Sequence, residues 1–186
     1  KKLYKKNKMN WIDAPVSGGI EGAENGALTI MAGGRKKDIE KITQILNCLS
    51  KNFTHMGPLG SGQTTKMINQ LLVGVNFQVI AEAVRLAKSS KLDLTKIPTC
   101  LSGGRADSSQ LQNCFSKIAE GKFDPPRVPA GQMLKDLAII KEYAKKKKIT
   151  LPVTELVTTI LRQYVNDGHY KKDTSSLYTL LDISHQ

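Results

Sequence analysis

One stretch, residues 61–88, constrains the fold more than any other part of the sequence. It reads SGQTTKMINQLLVGVNFQVIAEAVRLAK and predicts one helix about 40 Å long, with Ser61 as its expected N-cap. Its apolar residues cover most of the circumference and include Met67, Ile68, Leu71, Leu72, Val75, Val79, Ile80, Ala83 and Val84. Such a helix must be enclosed by other helices, and Gly74 permits a close approach. The stretch therefore predicts the central helix of a helical domain.

The chain before this helix has a different hydrophobic period. Apolar residues alternate with period 2 in short runs, which predicts strands at 11–16, 27–34 and 52–57, with one helix at 36–50 between the last two. Pro15 has no N–H to donate, so the first strand is expected to lie at an edge or to end there. This part is a small α/β region.

After residue 89 only the helical period recurs. Predicted helices occupy 95–101, 107–119, 130–147, 152–167 and 174–182, and prolines stand near their starts or in their connections. The predicted fold is mainly α with a small α/β portion. We place the domain boundary between residues 58 and 59.

Composition limits the class of protein. The chain has 186 residues, 40% of them hydrophobic, which is enough for a buried core. Its three cysteines form no CxxC pair, which favours reduced thiols and a cytoplasmic location, and we expect all three in the core. No continuous apolar run approaches the roughly 18 residues of a membrane span, so no membrane partner is predicted.

The formal net charge of +12 raises the possibility of nucleic-acid binding. Lysines cluster at residues 1–8 and again at 145–148. Neither cluster contains the interleaved aromatic residues that stack on bases, and lysine commonly fills exposed helix faces. Nucleic acid is therefore not the predicted partner, and nucleic-acid binding is kept as the second hypothesis.

A hydroxyl and two glycines follow the first predicted strand. Ser17 supplies the hydroxyl, while Gly18 and Gly19 let backbone N–H groups approach a ligand without a Cβ in the way. This arrangement suits a carboxylate or another anion. The alternative is a plain turn.

A second polar group lies on the long helix. Lys66, Asn69 and Gln70 stand at positions i, i+3 and i+4, so an ammonium and two amides share one face of an otherwise apolar helix. They form a candidate polar site, and the alternative is that this end of the helix is simply exposed.

Five segments in order resemble the β-hydroxyacid dehydrogenase family, whose members act on 3-hydroxyisobutyrate, 2-hydroxy-3-oxopropionate (tartronate semialdehyde) or 6-phosphogluconate. They are DAPVSGG at 13–19, GALTIMAGG at 26–34, GPLGSGQTTKMINQ at 57–70, KDLAIIKEYAKKKKITLPVT at 135–154 and DTSSL at 173–177. The resemblance covers essentially the whole chain. It implies an NAD(P)-dependent oxidoreductase with a Rossmann-type domain followed by an all-α domain like that of 6-phosphogluconate dehydrogenase.

The glycine-rich signature of the Rossmann unit, GxGxxG, does not occur in the sequence. The resemblance therefore implies that residues 1–58 are the C-terminal part of the NAD(P)-binding domain. Residues 59–186 then form the helical substrate and dimerisation domain. We expect a homo-oligomer, a dimer or a tetramer, in which a partner subunit helps to enclose the long helix.

The resemblance also assigns roles to individual residues. Lys66 matches the catalytic lysine, and the turn of Ser17, Gly18 and Gly19 matches the site for the substrate carboxylate. Asn69 and Gln70 are expected to bind the substrate or hold the lysine. Lys135 is expected to contact the nicotinamide end of NAD or NADP, whereas Asp136 caps or pairs locally. Lysine is a poor base at neutral pH unless burial lowers its pKa.

One segment departs from the family pattern. Many relatives place an aromatic residue and an acid ahead of the KDL lysine, but here Val128, Ala130 and Gly131 occupy that region. The predicted substrate is a small 3-hydroxy acid, of the 3-hydroxyisobutyrate or the 2-hydroxy-3-oxopropionate type. The alternative is a non-catalytic oligomerisation or basic nucleic-acid-binding module that retains the helical domain.

Overall fold

The computed structural model describes residues 9–183, with side chains through residue 180. Contacts divide the chain into two compact units, Lys1–Asn69 and Gln70–Gln186. Helices dominate the described residues, and one three-stranded sheet accompanies them. The predicted fold class is confirmed, while the boundary at 58/59 stays a prediction.

The first unit contains the sheet. Its elements are β1 (Val16–Ser17), α1 (Gly19–Glu24), β2 (Leu28–Gly33), α2 (Lys36–Glu40), α3 (Thr43–Leu49) and β3 (Ser50–Gly57). β2 lies in the middle, antiparallel to β1 and parallel to β3, with Ile30 opposite both Val16 and Phe53. Ile30, Met31 and Ala32 are buried, so β2 supplies the core of this unit.

Two local predictions in this unit were wrong, and one element was not predicted. The strand expected at 11–16 shrinks to Val16–Ser17 and an isolated bridge between Asp13 and Gly33, because Pro15 can accept a ladder hydrogen bond but donate none. The helix expected at 36–50 is two helices, α2 and α3. The short helix α1 was not predicted, since two glycines in a row indicate a turn.

The long helix, α4 (Ser61–Ser89), begins in the first unit and continues into the second. The later elements are a 3₁₀ turn (Leu94–Lys96), α5 (Ile97–Leu101), α6 (Ser109–Ala119), α7 (Ala130–Lys147), α8 (Pro152–Tyr164), a wide helical turn (Val165–His169), a second 3₁₀ turn (Thr174–Leu177) and α9 (Tyr178–Ile183). The predicted helix at 130–147 has the bounds observed for α7. Each of the other predicted helices either is shorter than expected or has one of these turns at one end.

The C-terminal half of α4 packs into a core. The buried members of this core are Ile80, Ala81, Val84, Ala87, Leu111, Phe115, Ile118 and Tyr178. Nearer its middle, a Cβ at Gly74 would lie 3.0 Å from Leu137 and 3.1 Å from Met133. This confirms that Gly74 permits a close approach, here by α7.

Among the described residues, α4 is the one helix long and apolar enough to cross a membrane by length and composition, with a mean hydropathy of 1.3. The core helix of a folded domain satisfies the same test. Burial of Ile80, Ala81 and Val84 against α6 and α9 favours a core helix. That no membrane is a partner stays a prediction.

Two of the three cysteines lie elsewhere than expected, while Cys114 packs against the core. Cys48 and Cys100 are exposed, so their predicted place in the core was wrong. Both lie on short helices, α3 and α5, on which they occupy exposed positions. Cys114 is half-buried, and burial raises the pKa of its thiol to about 11. A thiol with that pKa is a weak nucleophile at neutral pH.

Candidate active site

The turn after β1 needs glycine for its backbone. Gly18 has φ of 129° and Gly19 has φ of 64°, values that residues with a Cβ rarely adopt. Gly19 then begins α1, and the Gly18 carbonyl accepts the N–H of Gly22. Ser17 is half-buried, whereas Gly18 and Gly19 are exposed, so a ligand can reach the backbone at this turn.

The start of α4 is fixed by a side chain distant in sequence. The Asp13 carboxylate accepts hydrogen bonds from the Gly60 N–H at 2.6 Å and from the Gln63 N–H at 2.7 Å. The first N–H groups of a helix have no partner within it, and a negative charge there interacts favourably with the helix dipole. Ser61 is itself the first helical residue, so the predicted Ser61 N-cap was wrong.

The polar group on α4 begins one turn after this cap. Lys66, Asn69 and Gln70 are all half-buried. The alternative that this end of the helix is simply exposed is therefore wrong. Lys66 and Asn69 belong to the first unit, as do Ser17, Gly18 and Gly19, while Gln70 is the first residue of the second.

Gln70 is oriented by α7. Its Nε2 donates to Asp136 Oδ2 at 2.6 Å, and Gln132 Nε2 donates to the other carboxylate oxygen at 3.2 Å. The expectation that Asp136 pairs locally is confirmed for Gln132, while Gln70 is a distant second partner. Because its Nε2 is directed at Asp136, the carbonyl end of the Gln70 amide faces away from that carboxylate. Lys135, next to Asp136, is exposed.

A buried carboxylate holds the entry to α7. Asp173 forms an ion pair of 2.8 Å with Lys117 and accepts the Arg127 N–H at 2.7 Å. Burial by itself raises the pKa of Asp173, but hydrogen bonds from Lys117 and Ser175 hold it below its ordinary value. The Lys172 carbonyl accepts the N–H of Ala130, the first residue of α7. This cluster thus positions the helix that carries Lys135 and Asp136.

Sequence reasoning did not assign functions to Asp13 and Asp173. Both stand at the start of segments that carry the family resemblance, DAPVSGG and DTSSL, which was the available signal. Their side-chain partners lie 45 to 56 residues away along the chain, apart from those within their own turns. No spacing rule links residues so far apart.

Both parts of the chain match known families. Residues 60–181 match the family described as NAD-binding of NADP-dependent 3-hydroxyisobutyrate dehydrogenase, and residues 1–57 match the NAD binding domain of 6-phosphogluconate dehydrogenase. Both descriptions are of NAD-binding parts of dehydrogenases that use a nicotinamide cofactor. The chain belongs to the β-hydroxyacid dehydrogenase family.

Curated relatives carry related names. The chain is 37% identical over 94% of its length to an uncharacterized oxidoreductase of Shewanella frigidimarina, covering 60% of that protein. It is 32% identical over 94% to 2-hydroxy-3-oxopropionate reductase of Escherichia coli, covering 59%. It is 33% identical over 92% to mitochondrial 3-hydroxyisobutyrate dehydrogenase of Rattus norvegicus, covering 53%. The chain thus spans a little over half the length of these relatives.

A solved structure shares the fold. The crystal structure of 3-hydroxyisobutyrate dehydrogenase from Salmonella typhimurium aligns with a TM-score of 0.84 at 27% identity. The alignment covers 96% of this chain and 62% of that one. The arrangement of strands and helices described above is therefore that of a known dehydrogenase.

NAD and NADP are the cofactors of this family. Lys135, the residue that the family resemblance predicts at the nicotinamide end of such a molecule, is an exposed cation on α7. The glycine-rich GxGxxG turn that would hold the pyrophosphate is not found in the 186 residues.

Proposed function

We propose that this chain is part of an NAD(P)-dependent dehydrogenase or reductase of a small 3-hydroxy acid, of the 3-hydroxyisobutyrate or the 2-hydroxy-3-oxopropionate type. The observation that carries the proposal is the half-buried Lys66, one turn inside a helix whose start is fixed to the segment that leads to Ser17. The proposal includes a cytoplasmic location, which the free thiols support.

Lys66 carries the proton in this mechanism. When bound, the reduced nicotinamide supplies a hydride to the carbonyl carbon of the substrate. The Lys66 ammonium donates a proton from Nζ to the oxygen that becomes the hydroxyl. In the oxidation, neutral Lys66 accepts the hydroxyl proton. This is general acid–base catalysis by a single residue.

The remaining site residues orient the substrate. The Ser17 hydroxyl and the exposed backbone at Gly18 and Gly19 are proposed to bind its carboxylate, because an anion is favoured where a hydroxyl and several N–H groups converge. Asn69 and Gln70, neighbours on α4, are proposed to bind the substrate or to hold the lysine. These groups bind the ground state, whereas Lys66 acts on the reacting oxygen.

Cofactor affinity is expected to depend on residues outside the present sequence. Residues 1–186 alone are predicted to show no saturable binding of NADH or NADPH, because Lys135 cannot replace a pyrophosphate-binding helix N-terminus. A longer chain with the glycine-rich segment is expected to bind one of the two. Calorimetric or fluorescence titration of both chains measures this, and tight binding by residues 1–186 would contradict it.

We also propose that α4 pairs with a second copy of the chain. Ile68, Leu72, Val79 and Leu86 are 55%, 56%, 54% and 70% exposed, and the last three are spaced by seven residues, the repeat of a helix-pairing seam. No charged residue occurs between positions 67 and 81. A matching partner is another long helical segment without charge, and residues 67–81 of a second copy supply one. A symmetric interface of this kind is the commonest in soluble oligomers.

The pairing has a direct test. Light scattering of the chain is expected to give the mass of a dimer or tetramer, and Leu72→Glu with Val79→Glu is expected to give a folded monomer, because both side chains are exposed in the single chain. The control is Ile45→Glu, at a 63% exposed position on α3, which should leave the assembly unchanged. A wild-type monomer with a cooperative melt would refute the pairing.

A further inference from the structure

We propose that Asp13 is a positioning residue for catalysis, which acts through Lys66 by fixing the start of α4. This inference rests on the proposed function, since it takes Lys66 as the proton donor. Asp13 would touch neither substrate nor cofactor. Its role would be to hold the lysine at a constant distance from the segment that binds the substrate carboxylate.

The contacts of Asp13 connect two distant parts of the first unit. Its carboxylate oxygens accept from the N–H groups of Gly60 and Gln63, which are 47 and 50 residues away in sequence. At 2.6 Å and 2.7 Å these are short bonds to an ionised acceptor, which are about twice as strong as neutral ones. A single side chain thus fixes the first turn of α4.

The surroundings of Asp13 leave this carboxylate little freedom. Its backbone exchanges two hydrogen bonds with Gly33 on β2, with N···O distances of 2.9 Å and 2.7 Å. A Cβ at Gly62 would lie 2.8 Å from Asp13 Oδ2 and one at Gly33 would also be under 3.0 Å from the carboxylate. Strand β2 and helix α4 can therefore pack this closely around Asp13 only because residues 33 and 62 are glycines.

Lys66 and Ser17 lie close in sequence to the two residues, Gln63 and Asp13, that are joined by a hydrogen bond. Lys66 stands three residues after Gln63, or about 4.5 Å along the helix axis, and Ser17 stands four residues after Asp13. Proton transfer requires the donor within about 3 Å of the reacting oxygen, and a displacement of about 1 Å can cost 10²-fold in rate. A loosened first turn would shift Lys66 relative to the bound substrate.

A double-mutant cycle tests the inference, in the enzyme that includes a complete nucleotide-binding domain. Asp13→Asn keeps the shape of the side chain but removes its charge and one of its two acceptor oxygens. It is expected to lower kcat by about 10- to 100-fold, with KM for the cofactor unchanged. In the Lys66→Ala background the same substitution should lower kcat no further, because the residue through which it acts is gone.

The matched control is Asp93→Asn. Asp93 is also an aspartate that accepts an N–H at the start of a helical turn, from Thr95, but it lies in the second unit and is exposed. Its substitution should leave kcat unchanged. If Asp13→Asn does not fold, Gln63→Pro serves instead, because proline is tolerated in the first helical turn and removes one of the two donors. Gln63→Pro should also lower kcat.

Each result has one meaning. Equal losses of kcat from Asp13→Asn with and without Lys66 would reduce Asp13 to a structural cap and overturn the inference. Unchanged kcat in Asp13→Asn or in Gln63→Pro would overturn it as well. Near-normal turnover of Lys66→Ala by itself would instead refute the proposed function, so the two failures are distinguishable.

Discussion

Lys66→Ala is expected to lower kcat by about 10²- to 10⁴-fold, the usual contribution of a general acid or base, in the enzyme that includes a complete nucleotide-binding domain. The substitution removes the proposed proton donor but leaves the groups proposed to bind the carboxylate. Cofactor affinity should therefore change much less than kcat. Steady-state kinetics in both directions, with titration of the cofactor, measure the two effects.

Three variants make this prediction specific. Lys66→Arg should restore little activity, because a guanidinium does not give up its proton near neutral pH. Ser17→Ala should mainly raise KM for the hydroxy acid, because it removes one ground-state contact. Lys88→Ala, at an exposed lysine on the same helix, should retain normal kcat. If Lys66→Ala kept near-normal turnover, Lys66 would be an ordinary helix residue and the mechanism would be wrong.

Gly62→Ala is expected to lower the free energy of unfolding by about 3 kcal/mol, the upper end of the usual cost of overpacking. Gly62 is buried in the first turn of α4, and an added Cβ would lie under 3.0 Å from the Met31 carbonyl oxygen and from Asp13. Neither the backbone of β2 nor the hydrogen-bonded carboxylate can move away easily. Chemical or thermal unfolding of residues 1–186 measures the change.

The matched control is Gly22→Ala on α1. Its new Cβ would meet nothing nearer than 3.5 Å, the distance to Leu28, and its φ is not positive. Alanine is the better helix former, so this variant should be neutral or slightly stabilised. Equal stability of Gly62→Ala and the wild type would mean that β2 and the start of α4 do not pack as closely as described.

Long periodic segments were predictable because their signal is local. The span of α4 and the bounds of α7 follow from apolar spacing that repeats over 18 or more residues. The family resemblance was also predictable, since the five quoted segments retain their order and type. The small sheet of β2 and β3 agreed with the period-2 runs to within about two residues.

Short elements were less predictable because few residues define them. The strand expected at 11–16 kept only its end, the helix expected at 36–50 split near Lys41, and α1 followed two glycines. Cys48 and Cys100 were predicted to be buried but are exposed. The average burial of cysteine does not determine which face of a short helix a particular cysteine occupies.

The sequence by itself determined the mainly helical class, the long central helix, and the presence of Lys66 and the Ser17–Gly19 turn in a recognisable family order. Periodicity and motifs are properties of residues close together in sequence, so they can be recognised without the structure. Only the tertiary structure decided that Asp13 caps α4 and that Asp136 orients Gln70, a residue 66 positions away. These residues come into contact because the strands and helices pack together. No local sequence pattern predicts a contact between residues so far apart along the chain.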